Sequence, residues 1–172
     1  MRLNRRMEQL FRQYAMDPAG EYPNTPAYPI WRKTDASGRP YWGTGSFCGM
    51  DRCPIQPETN LSWLEWDGNE VYLSATDGCT IPMLLSQMMS ILNNWRKEMG
   101  ERYPDTSFYL TASCDDGLDA ICDEDDPPIP SVTLRFWADR GAPPPADTEN
   151  IEHYAQPVVM VYCKAKAGCG WL

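Results

Sequence analysis

Residues 81–102 read IPMLLSQMMSILNNWRKEMGER and predict the longest helix of this chain. Their apolar side chains recur at spacings of three and four, which places them on one face of a helix. Thr80 is a candidate N-cap and Pro82 fits the first turn. Gly100 and Pro104 mark the end of the helix. An apolar face this broad is expected to pack against a sheet rather than to hold a cofactor.

Three segments that follow this helix have the composition of β-strands. They are residues 107–113, 131–137 and 157–164, and they are rich in β-branched and aromatic side chains. The last of them has the dense apolar run expected of a strand inside a sheet.

Two β-hairpins are predicted before the long helix. The first joins residues 28–33 to residues 41–47 through a short polar turn. The second joins residues 61–66 to residues 70–74 through Asp67-Gly-Asn, because an Asp-Gly pair between β-prone runs favours a tight turn.

The order of these elements predicts a single α+β domain over residues 1–172. Strands that occur in runs indicate a mainly antiparallel sheet, with one long amphipathic helix packed across it. Residues 1–16 predict an N-terminal helix with an apolar stripe and several arginines, and residues 164–172 predict a flexible tail. A chain of this length can bury a sizeable core without disulfides.

The charge balance limits the classes of partner. The net charge is −9 and the pI is about 4.5, so direct binding to nucleic acid or to an anionic membrane is not expected. A basic protein surface is the natural electrostatic partner. No apolar stretch is long enough to span a membrane, and no export signal is recognised, which predicts a cytoplasmic protein. The seven cysteines are then expected to be reduced.

One acidic segment carries most of this charge, and its carboxylates are the predicted partner-binding residues. They are Asp115, Asp116, Asp119, Asp123, Glu124, Asp125 and Asp126. An EF-hand centred on Gly117 fails, because Cys114 and Ala112 occupy positions that need oxygen ligands. Two alternatives stay open: an irregular cation site, and a solvated loop that protects the strand edges.

Other chemical motifs are incomplete. Cys48 and Cys53 have the spacing of half a zinc site, but a second pair is missing from the pattern. His153 stands in an acidic setting that would not activate a cysteine nucleophile. We therefore predict no catalytic residue, no metal ligand and no cofactor. An enzyme that uses a carboxylate, a cation or a Cys/His pair stays an alternative, as does a structural or assembly subunit.

In composition, the chain resembles the small acidic inhibitors that phages and mobile elements deploy against host nucleases. This group includes anti-restriction and anti-CRISPR proteins, some of which act as DNA mimics. The resemblance implies a non-enzymatic protein whose carboxylates compete with nucleic acid for a cationic groove. Trp42, Trp63 and Trp66 would be candidate anchors on the partner, or else part of the core.

Overall fold

The computed structural model describes residues 1–23, 28–45, 55–75, 79–115, 129–141 and 143–166. Within these ranges the chain forms seven strands, three α-helices and one 3-10 turn. In chain order they are β1 Arg2–Leu3, α1 Arg5–Gln13, β2 Ile30–Thr34, β3 Pro40–Thr44, α2 Leu61–Gly68, β4 Val71–Ser74, α3 Ile81–Arg102, β5 Phe108–Asp115, β6 Ser131–Ala138, the 3-10 turn Ile151–His153, and β7 Val158–Cys163.

Five of the strands form one sheet in the order β1-β7-β5-β6-β4, and every neighbouring pair is antiparallel. β5 is central, and its Ala112 pairs with Leu134 on β6 and with Val159 on β7. β2 and β3 form a separate antiparallel hairpin. The predicted α+β class, the first hairpin and the three later strands are confirmed.

The long helix α3 packs across one face of the large sheet. Its buried side chains include Met88, Leu92 and Trp95, and the Trp95 ring meets Phe136 edge-on at 5.0 Å. The predicted span is confirmed, but Thr80 makes no side-chain cap, although it stands in the N-cap position in an extended conformation. None of the helices in the described ranges is long and apolar enough to cross a membrane.

The N-terminal helix is shorter than predicted, because residues 2–3 pair with β7 instead. Helix α1 begins after Asn4, whose side-chain oxygen accepts from Met7 N at 3.0 Å and from Val158 N at 3.0 Å. Its apolar stripe, which includes Leu10 and Phe11, is buried in the core. The helix is therefore an integral part of the domain.

The prediction of a second hairpin is wrong, because residues 61–68 form helix α2. The Asn60 side chain accepts from Ser62 N and Trp63 N, which starts a helix at the place where the hairpin prediction had a strand. The buried positions of this helix follow helical spacing, and they are Leu61, Ser62, Leu64, Glu65 and Gly68. The Asp-Gly pair ends this helix instead of forming a hairpin turn.

The predicted flexible tail is described only at its start. Ala165 N donates to Ser107 Oγ at 2.9 Å, and Lys166 N donates to Pro104 O at 2.8 Å. Residues 167–172 lie outside the described residues.

Candidate functional site

Of the seven predicted partner-binding carboxylates, the structure describes Asp115 alone. It is the last residue of β5, it is exposed, and it pairs in register with Ser131 on β6. Asp116, Asp119, Asp123, Glu124, Asp125 and Asp126 lie outside the described residues. They belong to the connection between β5 and β6, so the chain enters this segment directly from the exposed end of the central strand.

Asp115 lies on the face of the sheet opposite α3, which we call the outer face. Phe108, Leu110, Ala112 and Cys114 alternate along β5 and enter the core beneath α3. The intervening side chains of β5 must then point the other way, because successive residues of a strand face opposite sides. They are Tyr109, Thr111, Ser113 and Asp115.

Cross-strand register arranges the outer face in rows. Trp137, Tyr109 and Tyr162 form an aromatic row, in which the Tyr109 ring stacks on Trp137 at 5.3 Å. The other three rows are Arg135–Thr111–Met160–Arg2, Tyr72–Thr133–Ser113–Val158 and Ser74–Ser131–Asp115. Tyr72 is 58% exposed and Tyr162 is 45% exposed. The outer face therefore presents aromatic rings and hydroxyl groups, with Arg135 and Arg2 in one row and the Asp115 carboxylate at one end.

A pocket of about 300 Å³ opens on this face. Thr111, Thr133 and Arg135 line it from the sheet, and Trp66 and Tyr154 line it from α2 and from the segment before β7. A small pocket that combines aromatic side chains with a few polar groups is a typical binding site.

Arg135 is held in a fixed position beside this pocket. It forms an ion pair with Glu70, and its guanidinium lies 4.9 Å from the centre of the Trp66 ring. Trp66 in turn meets Trp137 edge-on at 5.1 Å. Arg135 is thus stabilised by an ion pair with Glu70 and by a cation–π contact with Trp66.

Two phenols on this side of the molecule, Tyr109 and Tyr154, have raised pKa values. Desolvation raises the pKa of Tyr109, and Asp139 adds to the effect. Desolvation also raises the pKa of Tyr154, whose oxygen accepts from Asp147 N at 2.7 Å. Both phenols therefore stay protonated near neutral pH, where they serve in contacts and hydrogen bonds.

A second polar cluster lies inside the molecule, at helix α2. The Glu65 carboxylate is fully buried and accepts from Trp42 N at 3.0 Å and from Ala138 N at 2.7 Å. It also accepts from both terminal nitrogens of Arg140, at 2.6 and 2.8 Å. Burial raises the pKa of Glu65, against the opposing effects of Arg140 and the two amides.

Asn69 follows Glu65 by four residues and completes this cluster. Its side chain accepts from Thr44 N at 3.0 Å and donates to Trp42 O at 3.0 Å and Phe136 O at 3.2 Å. Glu65 and Asn69 therefore connect the small hairpin to β6 through α2. Their polar atoms are occupied inside the protein, so this cluster fixes the architecture rather than performing chemistry.

The side chain of His153 contacts two polar residues of its own segment. Its imidazole Nε2 lies 2.7 Å from the Asn150 amide nitrogen, and its Nδ1 lies 3.5 Å from Asp147. Desolvation raises the pKa of the Cys163 thiol to about 11, which disfavours a nucleophilic thiolate. The described part of the chain contains no group of His, Cys, Asp and Glu that could hold a metal ion. Cys48 and Cys53 lie outside it.

The three candidate anchor tryptophans separate into two kinds. Trp42 is only 5% exposed and belongs to the core, whereas Trp63 is 47% exposed and Trp66 lies on the outer face. The sequence-based prediction missed Glu65 and Asn69, although Asn60 carried the N-cap signal for the helix that positions them. No protein-family model, curated protein or solved structure matches this chain.

Proposed function

We propose that this chain is a non-enzymatic binding protein that presents its acidic segment to a basic protein surface. The observation that carries the proposal is the concentration of charge. Residues 115–126 contain seven of the 24 acidic side chains and no Lys or Arg, and the remaining 17 nearly balance the 15 basic ones. Such a local field speeds association with a cationic partner and makes it sensitive to salt.

The position of Asp115 supports a combined interface. It lies at the end of β5 on the outer face, so a partner that reaches the acidic segment also approaches the exposed Tyr72 ring. Aromatic side chains at such positions commonly supply most of the binding energy, while charge sets the encounter rate.

The finer part of the proposal is that the partner is a nucleic-acid-binding effector in the cytosol. Carboxylates held on one segment would then occupy the groove that binds phosphates. One observation weighs against an alternative: the apolar stripe of α1 is buried in the core, which argues against assembly through that stripe.

The test is a pull-down with the whole chain from host lysate at low and high salt, followed by calorimetric titration of the captured protein. Raising the salt shortens the Debye length and should release the partner, because the attraction is largely electrostatic. The test variant replaces Asp123, Glu124, Asp125 and Asp126 with their amides. A matched control neutralises four exposed carboxylates elsewhere, namely Glu21, Glu58, Glu101 and Asp105.

We expect sub-micromolar, salt-dependent binding that the test variant weakens at least tenfold and the control leaves nearly unchanged. Equal binding by both variants would refute the acidic segment as the interface. A labelled DNA duplex then tests whether the partner is a nucleic-acid-binding effector. The chain should displace this duplex from the partner. If the partner retains the duplex in a ternary complex, competition with nucleic acid is wrong while protein binding stands.

A further inference from the structure

The pocket of about 300 Å³ on the outer face, which we call the outer-face pocket, has a polar floor. On this floor Arg135 pairs in register with Thr111, and Thr133 pairs with Ser113. Side chains directly opposite each other on neighbouring strands lie about 5 Å apart, and those two residues apart on one strand lie roughly 7 Å apart. The floor is therefore a square array of three hydroxyl groups and one guanidinium.

The hydroxyl groups of this floor are free to bond a ligand. Those of Thr111, Ser113 and Thr133 make no hydrogen bond within the described residues. In the same part of the chain Trp42 Nε1 is the one buried side-chain polar atom without a partner, so the three hydroxyl oxygens keep accessible surface. A hydroxyl group can donate one hydrogen bond and accept two. The floor therefore suits ligand groups that both donate and accept.

Arg135 adds donors to the same floor without adding much net charge. Its Nη2 donates to Glu70, and its Nε and Nη1 have no acceptor within the described ranges. Arg2, in the same row, already donates to Thr148 O and Glu149 O. Because Glu70 compensates Arg135 and the whole chain has a net charge of −9, an anionic ligand would gain little here. Neutral oxygen acceptors fit better.

The walls of the outer-face pocket are apolar and aromatic. Trp66 comes from α2, Tyr154 from the segment before β7, and Val158 and Met160 from β7. The Arg135 guanidinium already lies over the Trp66 ring at 4.9 Å, so a flat aromatic ligand would have to displace it to stack on that face. Ligand pockets combine apolar walls with a few polar groups that set the orientation. A saturated ring with C–H faces and hydroxyl groups on its edge matches both parts of this lining.

We propose that the outer-face pocket binds a neutral monosaccharide unit. The hydroxyl groups of Thr111, Ser113 and Thr133 exchange hydrogen bonds with the hydroxyl groups of the sugar. Arg135 donates to a sugar oxygen, and Trp66 contacts the C–H groups of the ring. The site uses none of the carboxylates of the acidic segment, so its outcome does not depend on the function proposed above.

The probes are the neutral methyl glycosides of glucose, galactose, mannose and N-acetylglucosamine. Two control ligands accompany them: cyclohexanol, which keeps a saturated ring but has a single hydroxyl group, and the methyl glycoside of glucuronic acid, which carries a carboxylate. Each ligand is titrated into the whole chain while two-dimensional NMR follows the assigned indole N–H signals. Trp66 reports on the pocket, and Trp63, which is 47% exposed, reports on non-specific binding.

At least one neutral glycoside should shift the Trp66 signal and reach saturation with a Kd of roughly 1–10 mM, as expected for a ligand of this size. The Trp63 signal should not move. Cyclohexanol should not saturate in this range, because it cannot bond the whole floor. Absence of saturable binding by all of the glycosides, equal binding of cyclohexanol, or tighter binding of the glucuronide than of every neutral glycoside would overturn the proposal.

A variant of the floor tests the hydrogen bonds themselves. Thr133→Val removes one hydroxyl group and should weaken binding about threefold to tenfold, the value of one hydrogen bond. Thr106→Val, at a partly buried threonine outside this pocket, is the matched control and should leave binding unchanged. Ser113→Ala replaces Thr133→Val if circular dichroism shows that the latter does not fold. Equal affinities of the floor variant and the control would also overturn the proposal.

A last comparison identifies the source of the sugar. The glycoside that binds best is compared with a disaccharide that carries the same unit at its non-reducing end. Equal affinity indicates the terminal unit of a larger glycan, and a tenfold loss indicates a free monosaccharide; either result supports the site.

Discussion

Replacement of Arg140 by alanine should cost about 3–5 kcal/mol in the free energy of unfolding at pH 7, the range for breaking a buried ion pair. The structure gives the reason. The substitution removes two of the four donors of the Glu65 carboxylate, at 2.6 and 2.8 Å, and leaves a fully buried charge with two main-chain amides. The guanidinium also lies 5.7 Å from the centre of the Trp42 ring, and that contact adds up to about 1 kcal/mol.

The same substitution should make the stability depend on pH. Burial raises the pKa of Glu65, and Arg140 opposes this, so its removal should raise that pKa further. A raised pKa in the folded state contributes stability that is present in full below the ordinary value of 4.5 and is lost as pH rises through the folded-state pKa. The difference between the natural chain and Arg140→Ala should therefore widen from pH 5 to pH 7, by about 1.4 kcal/mol for each unit of added shift.

Urea unfolding followed by far-UV circular dichroism at both pH values measures these differences. Arg135→Ala is the matched control, because it also removes an arginine from an ion pair, and its partner Glu70 is 40% exposed. A partly exposed pair of this kind should contribute less than about 1 kcal/mol. A loss for Arg140→Ala no larger than that of the control, or a loss that does not change with pH, would refute the reasoning.

Three further changes follow from single contacts. Asn4→Ala should cost about 2–4 kcal/mol in urea unfolding, because it removes a helix cap and leaves buried amides unpaired; a loss below 1 kcal/mol would contradict the cap. Gly43→Ala should lower the free energy of unfolding by about 1–3 kcal/mol and change the near-UV dichroism, because the new Cβ overlaps the Trp31 ring. Gly100→Ala on α3 places its Cβ in open space, so it should raise the free energy of unfolding by about 0.5–1 kcal/mol. At pH 8, iodoacetamide should label Cys163 roughly a hundredfold more slowly in the folded chain than in urea, because the thiol pKa is about 11 and the thiolate is the reactive form. Mass spectrometry measures the two labelling rates, and equal rates would contradict the raised pKa.

The parts of the fold that could be predicted are those whose local pattern agrees with their final environment. The α3 stripe has helical spacing over 22 residues, and its members Leu84, Met88, Leu92, Trp95 and Met99 are all buried. β6 alternates Val132, Leu134 and Phe136 toward the core with Thr133 and Arg135 outward, which is the period of a half-buried strand. In such segments the spacing of apolar residues in the sequence equals the spacing of buried positions in the folded helix or strand.

Helix α2 was missed because its inward positions include a carboxylate. Any pattern based on hydrophobicity assigns Glu65 to the surface, yet Arg140, which lies 75 residues away along the chain, makes its burial possible. Asp67-Gly68 also carries a strong local turn signal, which the Asn60 cap overrides. The outer-face pocket could not be predicted for a similar reason. Its walls depend on the register of the strands and on the presence of α2, and local composition indicates neither.

The acidic segment could be proposed as a binding site from the sequence, because charge is visible without a fold, and this assignment stays a prediction. Its attachment to the outer face was not predictable, since it requires the pairing of Asp115 with Ser131. The unpaired indole nitrogen of Trp42 could not be predicted from the sequence either. It depends on which hydrogen-bond acceptors lie near this nitrogen in the folded chain.

The pairing of Arg2–Leu3 with Val159–Met160 has a consequence for synthesis on the ribosome. The partner strand of β1 is translated more than 150 residues after β1 itself. The two neighbours of β5 in the sheet, β6 and β7, are also translated after β5. Pairings so distant along the chain form slowly, so the nascent protein exposes the apolar side of β5 and α3 until β7 has left the exit tunnel. Chaperone dependence during translation is therefore expected to concentrate on residues 81–115.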